Sequence, residues 1–158
     1  MTLLHAAGTG RFVPSTARSF LQLGISAVGT LLILWGLFGL ALVFPSMPQS
    51  GSGFAEGLAL ILFGLSVLGG FVTLSVGLLI PQNETGGVQF TSRQRRLLAY
   101  GVVAPVTGVL AIPVVLQLAP AFVEPVRPIL VGALVAFALT GPLATLSTIV
   151  TKVRSRNE

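Results

Sequence analysis

Four long stretches without a charged side chain constrain the fold of this sequence more than any other feature. They lie between Arg18 and Glu56, between Glu56 and Glu84, between Arg96 and Glu124, and between Arg127 and Lys152. Each stretch has room for a helix of roughly 20 residues, which is the length that crosses the hydrocarbon core of a bilayer. The pattern predicts an all-α integral membrane bundle of four transmembrane helices, with spans at about 20–44, 54–80, 97–118 and 129–150.

The composition agrees with a membrane protein. Of 158 residues, 53% are hydrophobic and only 8% are charged, a balance that soluble domains do not show. We therefore expect a single transmembrane domain over residues 1–158, with short basic tails at 1–19 and 151–158. The first apolar stretch is longer than the region of about 7–15 residues in a cleavable signal peptide. We interpret it as the first span.

Basic residues are distributed unevenly among the segments that connect the spans. Eight of them fall in the N-terminal tail, the second connector and the C-terminal tail, and only Arg127 falls in the other connectors. Because positive charge is retained on the cytoplasmic side, we expect the protein in a cell membrane with both termini cytoplasmic. The cluster Arg93, Arg95 and Arg96 is interpreted as a topogenic signal, although it could also bind anionic lipid, a cytoplasmic partner or nucleic acid.

Small side chains form stripes along two of the predicted helices. Residues four apart lie on one helix face, and small side chains there let a second helix approach closely. The predicted helix-packing residues are Gly69, Thr73 and Gly77 in the second span, and Gly132, Ala136, Thr140, Ala144 and Thr148 in the fourth. The alternative is that the threonine hydroxyls line a narrow pathway, but helix packing is the favoured interpretation.

Three prolines lie within the predicted spans, at Pro105, Pro113 and Pro142. A proline inside a helix removes one backbone hydrogen bond and bends the axis. We predict a kink at each of them. Such kinks are either static features of a compact bundle or hinges around a substrate, as in many transporters.

The sequence lacks the side chains that most catalytic and ion-coupled sites need. No charged residue lies near the middle of any predicted span, which disfavours proton or ion coupling. The chain has no cysteine and a single histidine, His5, and it offers no nucleophile paired with a base. We expect a non-enzymatic protein with no catalytic residue, no cofactor and no metal site.

The leading hypothesis for function is a structural or accessory subunit of a membrane complex or homo-oligomer. Its expected partners are membrane lipid and copies of itself or other membrane subunits, with no nucleic acid, and a small-molecule ligand is left open. The alternative is a small channel or permease for a neutral solute, or a passive ion path, lined by Thr73, Thr107, Thr140, Thr145 and Ser147. A membrane component of a virus-like particle or secretion apparatus is a third possibility.

Overall fold

The computed structural model describes residues 15–43, 53–80, 89–118 and 126–157, and the helices there account for nearly all of the chain it describes. In order along the chain they are α1 (Ser15–Val43), α2 (Phe54–Leu79), α3 (Ser92–Leu118) and α4 (Val126–Asn157). Each contains a segment long and apolar enough to cross a membrane. The all-helical class and the four membrane-length helices are thus confirmed.

Helix α3 begins before the apolar stretch that was expected to form it, because its first turn is capped. The backbone N–H of Gln94 donates to Thr91 Oγ1 at 3.3 Å, and the backbone N–H of Thr91 donates to Gln94 Oε1 at 3.0 Å. This reciprocal pair is a capping box, which satisfies two backbone donors that a helix start leaves free. The helix therefore includes Arg93, Arg95 and Arg96, where hydropathy alone places its start near Leu97.

The prolines do not end the helices that contain them. Helix α3 continues through Pro105 and Pro113, and α4 continues through Pro142. Pro105 and Pro142 are buried between helices, whereas Pro113 is exposed. A neighbouring helix therefore packs against two of the three sites where a backbone hydrogen bond is lost.

Helices α1 and α2 pack as an antiparallel pair through glycines. An ideal Cβ atom on Gly29 would lie 2.5 Å from Leu74 N, and one on Gly36 would lie 2.7 Å from Phe63 O. Only a residue without a side chain lets two backbones come this close. On α2, a Cβ atom on Gly70 would lie 2.8 Å from Gly29 O. The pair is thus built on glycine from both sides.

Helices α3 and α4 form a second antiparallel pair of the same kind. A Cβ atom on Gly108 would lie 2.8 Å from that of Ala138, and Gly141 of α4 lies against the ring of Pro105. Leu98 is completely buried near the start of α3. The contacting positions Leu98, Gly101, Pro105 and Gly108 alternate by three and four residues, as in helices that pack at a shallow angle.

Helix α2 joins the two pairs, since it contacts α3 and, less extensively, α4. Its buried residues all lie in the C-terminal half, at Gly70, Phe71, Ser75 and Gly77. Much of the remaining surface is apolar and exposed; Trp35 and Leu110, for example, expose 63% and 64% of their surface. Exposed apolar side chains along all four helices are what lipid contact requires and what a water-soluble protein avoids.

We predict that Gly70→Ala destabilises the protein by about 1–3 kcal/mol, because the added methyl group overpacks a contact with backbone atoms. The matched control is Gly64→Ala, where a Cβ atom meets nothing within 4 Å. That variant should be neutral or up to about 1 kcal/mol more stable, through helix propensity. Unfolding in mixed micelles, followed by circular dichroism, measures both free energies. Equal effects of the two substitutions would refute the close-approach interpretation.

Candidate functional site

A buried polar junction connects the two helix pairs, and it consists of Ser75 of α2, Gly101 of α3 and Thr145 of α4. Ser75 Oγ and Thr145 Oγ1 are 2.7 Å apart, at hydrogen-bond distance. Both side chains have 0% of their surface exposed. A Cβ atom on Gly101 would lie 3.0 Å from Ser75 Oγ and would also collide with Thr145 Oγ1. Glycine at this position therefore makes the space in which the two hydroxyl groups meet.

The direction of the hydrogen bond follows from the other bond that Thr145 makes. Its hydroxyl donates to Gly141 O of its own helix at 3.2 Å. A hydroxyl has one proton to donate, so Ser75 is assigned as the donor to Thr145. The junction then satisfies both hydroxyl groups within the protein. It requires neither water nor a ligand to do so.

One turn away from the polar junction, Pro105 frees the carbonyl of Gly101 from its helical hydrogen bond. Gly141 of the facing helix lies next to that oxygen, which is 3.1 Å from the ideal Cβ position of Gly141. The hydrogen atom that Gly141 carries instead of Cβ points toward the carbonyl. Contacts of this Cα–H···O type recur where helices pack closely and partly replace the lost bond.

A second interhelical hydrogen bond lies on the outer side of the α3/α4 pair. Tyr100 OH is 2.8 Å from Thr140 Oγ1, which itself donates to Phe137 O at 2.6 Å. Tyr100 is therefore the donor to Thr140. Its ring also meets Phe137 edge-on, with centroids 6.2 Å apart. This contact ties the same two helices together at the surface.

Most of the other hydroxyl groups bond to their own helices. The donors whose acceptor is a carbonyl three or four residues earlier include Thr30, Ser66, Thr73, Ser147, Thr148, Thr151 and Ser155. Back-bonding of this kind makes a hydroxyl group compatible with an apolar surrounding. Thr107 is exposed on α3. The five side chains proposed as a pathway lining are therefore distributed between interior and surface.

The second-span stripe has one member in close contact. A Cβ atom on Gly77 would lie 2.6 Å from Ser26 Oγ of α1, whereas one on Gly69 would meet nothing within 4 Å. Thr73 is half-buried. Gly70, one residue beyond Gly69, makes the contact with α1.

The fourth-span stripe changes from open to buried along the helix. A Cβ atom on Gly132 would meet nothing within 4 Å, and Ala136 is exposed. Thr140 bonds to Tyr100 at the surface, Ala144 is half-buried, and Thr148 is completely buried. A role in packing for the exposed members stays a prediction about contacts outside this chain.

Sequence reasoning missed Ser75 and Gly101, which form the core of the polar junction together with Thr145. A signal for the glycines does exist, since three helices carry pairs seven residues apart: Gly29 and Gly36, Gly70 and Gly77, Gly101 and Gly108. A seven-residue repeat keeps one face toward a partner over two turns. No comparable signal singles out Ser75 from the neighbouring Thr73.

Two buried polar atoms on α1 have no hydrogen-bond partner, Gln22 Nε2 and Ser26 Oγ. They lie one turn apart on the face toward α2, where Ser26 meets Gly77. Unsatisfied buried groups are uncommon in folded proteins and weaken the contact in which they lie. The buried polar groups at this end of the α1/α2 pair therefore have fewer hydrogen bonds than those of the polar junction.

Charged side chains lie at the ends of the helices. Glu56 is in the first turn of α2, and Arg93, Arg95 and Arg96 are exposed in the first two turns of α3. Within the four described ranges, no group of three or more His, Asp or Glu side chains could hold a metal ion. The described residues offer hydrogen bonds between helices and charged side chains at the helix ends.

We expect Ser75→Ala and Thr145→Val to destabilise the protein by about 1 kcal/mol each, because either change removes the buried hydrogen bond between α2 and α4. In a double-mutant cycle, the coupling energy should be about 0.5–1.5 kcal/mol. Ser66→Ala is the control, since Ser66 bonds only to Leu62 O of its own helix. Unfolding in mixed micelles measures all four variants, and a coupling energy near zero would argue against the assigned bond.

Comparison of the chain with protein-family models, with curated proteins and with solved structures finds no match. No activity, ligand or partner can therefore be transferred from a relative. The packing of the helices, their open faces and the charges at their ends are the basis for a function.

Proposed function

We propose that this chain is a non-enzymatic, multi-pass membrane protein that acts as a structural or accessory subunit of a complex or homo-oligomer. In this proposal the four helices form a transmembrane bundle with both termini cytoplasmic. One observation carries it: the face of α2 that holds the polar junction continues beyond it as an open face. Gly57 and Gly64 lie on this continuation.

The geometry of a helix explains why the continuation matters. At 3.6 residues per turn, Gly57, Gly64, Phe71 and Ser75 fall on one face of α2. Phe71 and Ser75 are buried, while Cβ atoms on Gly57 and Gly64 would meet nothing within 4 Å. The two open glycines have the same seven-residue spacing as the glycines that make the internal contacts. This face has the features of a helix-packing surface without a helix on it.

The interior of the chain supports a packing role rather than a transport role. The hydroxyl group of Thr145 is hydrogen-bonded within the polar junction, and those of Thr73 and Ser147 bond to their own helices. A pathway for a solute would need such groups to face one continuous polar route. The alternative of a small channel or permease would require several copies to enclose that route between them.

The charge distribution supports the proposed orientation. The N-terminal ends of α1 and α3 and the C-terminal ends of α2 and α4 lie together, because each pair is antiparallel and the polar junction connects them. We call this the basic end; its described basic residues are Arg18, Arg93, Arg95, Arg96, Lys152 and Arg154. Basic residues are retained on the cytoplasmic side of membranes.

The experiment that tests the proposed role is native mass spectrometry of the protein purified in mild detergent from its own membrane. We expect a particle heavier than one chain, containing further copies or a stoichiometric partner. Gly57→Leu/Gly64→Leu should reduce it to the single chain, since the leucines fill the open face. The folded chain itself should be unaffected, as the added side chains have free space.

Val103→Leu is the matched control, because Val103 is exposed on α3 and the change also enlarges an outward side chain. It should leave the particle mass unchanged. A lone chain in the unmodified protein would reject the subunit role. If the particle contains only copies of this chain, flux of neutral solutes into liposomes that contain it would favour the channel alternative.

The orientation predicts the behaviour of terminal fusions. A fluorescent protein that folds only in the cytoplasm should be bright at either terminus, and a phosphatase active only outside should be inactive there. Moving the phosphatase to the connector between α1 and α2 should make it active. The opposite pattern at either terminus would overturn the proposed topology.

A further inference from the structure

The basic end presents an exposed cationic surface built from two helices. Arg93, Arg95 and Arg96 are all exposed in the first two turns of α3, and Lys152 is half-buried near the end of α4. The antiparallel register of this pair places Gly101 at Thr145 and Pro105 at Gly141. Continued by two turns toward the basic end, the register places Lys152 beside Gln94. We call Arg93, Arg95, Arg96 and Lys152 the cationic surface.

The protein supplies few negative charges to balance the cationic surface. Within the described ranges the only carboxylate side chain is that of Glu56, which lies in the first turn of α2 at the opposite end. The sequence adds Glu84 in the connector before α3 and Glu158 at the end of the chain, against eight basic residues in the N-terminal tail, that connector and the C-terminal tail. A large positive excess therefore remains at this end.

The backbone of α3 adds to the excess of positive charge. The first turn of this helix contains no acidic residue, and the two side groups of its capping box, on Thr91 and Gln94, are neutral. Arg93 and Arg95 therefore lie at the positive end of a helix dipole, where cations are disfavoured, and Arg96 follows directly. Binding of an external anion would relieve this repulsion. The capping box determines where α3 starts, and therefore which residues form the turn that the anion contacts.

The position of the cationic surface along α3 selects the kind of anion. Leu97 follows Arg96 directly, and Leu98 is completely buried. At a rise of 1.5 Å per residue, Arg93 lies about 6 Å beyond the apolar part of the helix. With the helix inserted in a bilayer, this distance falls within the headgroup layer next to the hydrocarbon core. A guanidinium group can bind phosphate with two parallel hydrogen bonds.

We propose that the cationic surface of Arg93, Arg95, Arg96 and Lys152 binds the phosphate headgroups of anionic phospholipids in the surrounding leaflet. The inference rests on the proposed insertion of the helices in a membrane. It is independent of whether the chain is a subunit or a channel. Phospholipid is the occupant because acyl chains can contact the exposed apolar sides of α3 and α4 while the headgroup meets the arginines.

The test is native mass spectrometry of the purified full-length chain in neutral detergent, titrated with phosphatidylglycerol or with phosphatidylcholine of the same acyl chains. We expect phosphatidylglycerol to bind about tenfold more tightly or better, given the attraction that each basic residue contributes at an anionic surface. The variant Arg93→Gln/Arg95→Gln/Arg96→Gln should lose this preference. Equal binding of the two lipids by the unmodified chain would overturn the proposal.

Two further variants separate charge from folding and from position. Arg93→Lys/Arg95→Lys/Arg96→Lys keeps the positive charge and should keep most of the preference for phosphatidylglycerol. A substitution that acted by unfolding this part of the chain would lose the preference. Arg127→Gln removes a basic residue at the first turn of α4, at the opposite end, and should leave the preference unchanged. Loss of the preference in Arg127→Gln would show a nonspecific effect of net charge and reject the site.

Competition distinguishes lipid from a soluble anion. Inorganic phosphate in molar excess should displace bound phosphatidylglycerol only slightly, because it lacks acyl chains. Complete displacement would show that a soluble phosphate compound is the occupant and overturn the assignment to lipid. Since the same spectra report the particle mass, loss of lipid preference and loss of assembly are separate readouts. Failure here would leave the subunit role standing.

Discussion

Close approach of helix backbones at glycine is the contact on which both helix pairs depend. Lipid tails are as apolar as leucine side chains, so burying leucine between membrane helices gains little from the hydrophobic effect. Attraction must then come from van der Waals contact and from weak backbone contacts, both of which weaken quickly with distance. Gly29 and Gly70 meet across α1 and α2, and Gly108 meets Ala138 across α3 and α4. Glycine costs helix propensity, yet here it brings the two axes within range of these forces.

The polar junction is a consequence of the same close packing. Ser75 and Thr145 can be 2.7 Å apart only because Gly101 leaves the space between them. Glycine contacts need close shape complementarity, but they are similar at each turn of the helix. Two helices shifted along their axes could make similar glycine contacts, so glycine alone determines their register poorly. The hydrogen bond between the two buried hydroxyl groups forms in one register only, and a shift by a turn would leave Ser75 without its assigned acceptor. The junction therefore complements the glycines by specifying how α2 sits against α3 and α4.

How much of this could be predicted from sequence depends on the range of the signal. The uncharged stretches predict four helices, since charge is excluded from the whole hydrocarbon layer. The start of α3 is also readable, because Thr91 and Gln94 have capping-box spacing. The choice between Gly69 and Gly70 is not: adjacent residues differ by about 100° around the helix, and only the partner helix decides which one is in contact. The role of Ser75 likewise depends on residues seventy positions away.

Packing and charge are both asymmetric along the helices, and the asymmetries point the same way. The buried residues of α2 lie in its C-terminal half, toward the basic end, while the open glycines Gly57 and Gly64 lie toward the other end. The residues of α2 that are buried thus lie in the half nearest the basic end. The other half keeps a glycine face of the same spacing free. A helix from another chain could bind there without displacing any contact within this one. Folding and assembly would then depend on different residues of the sequence.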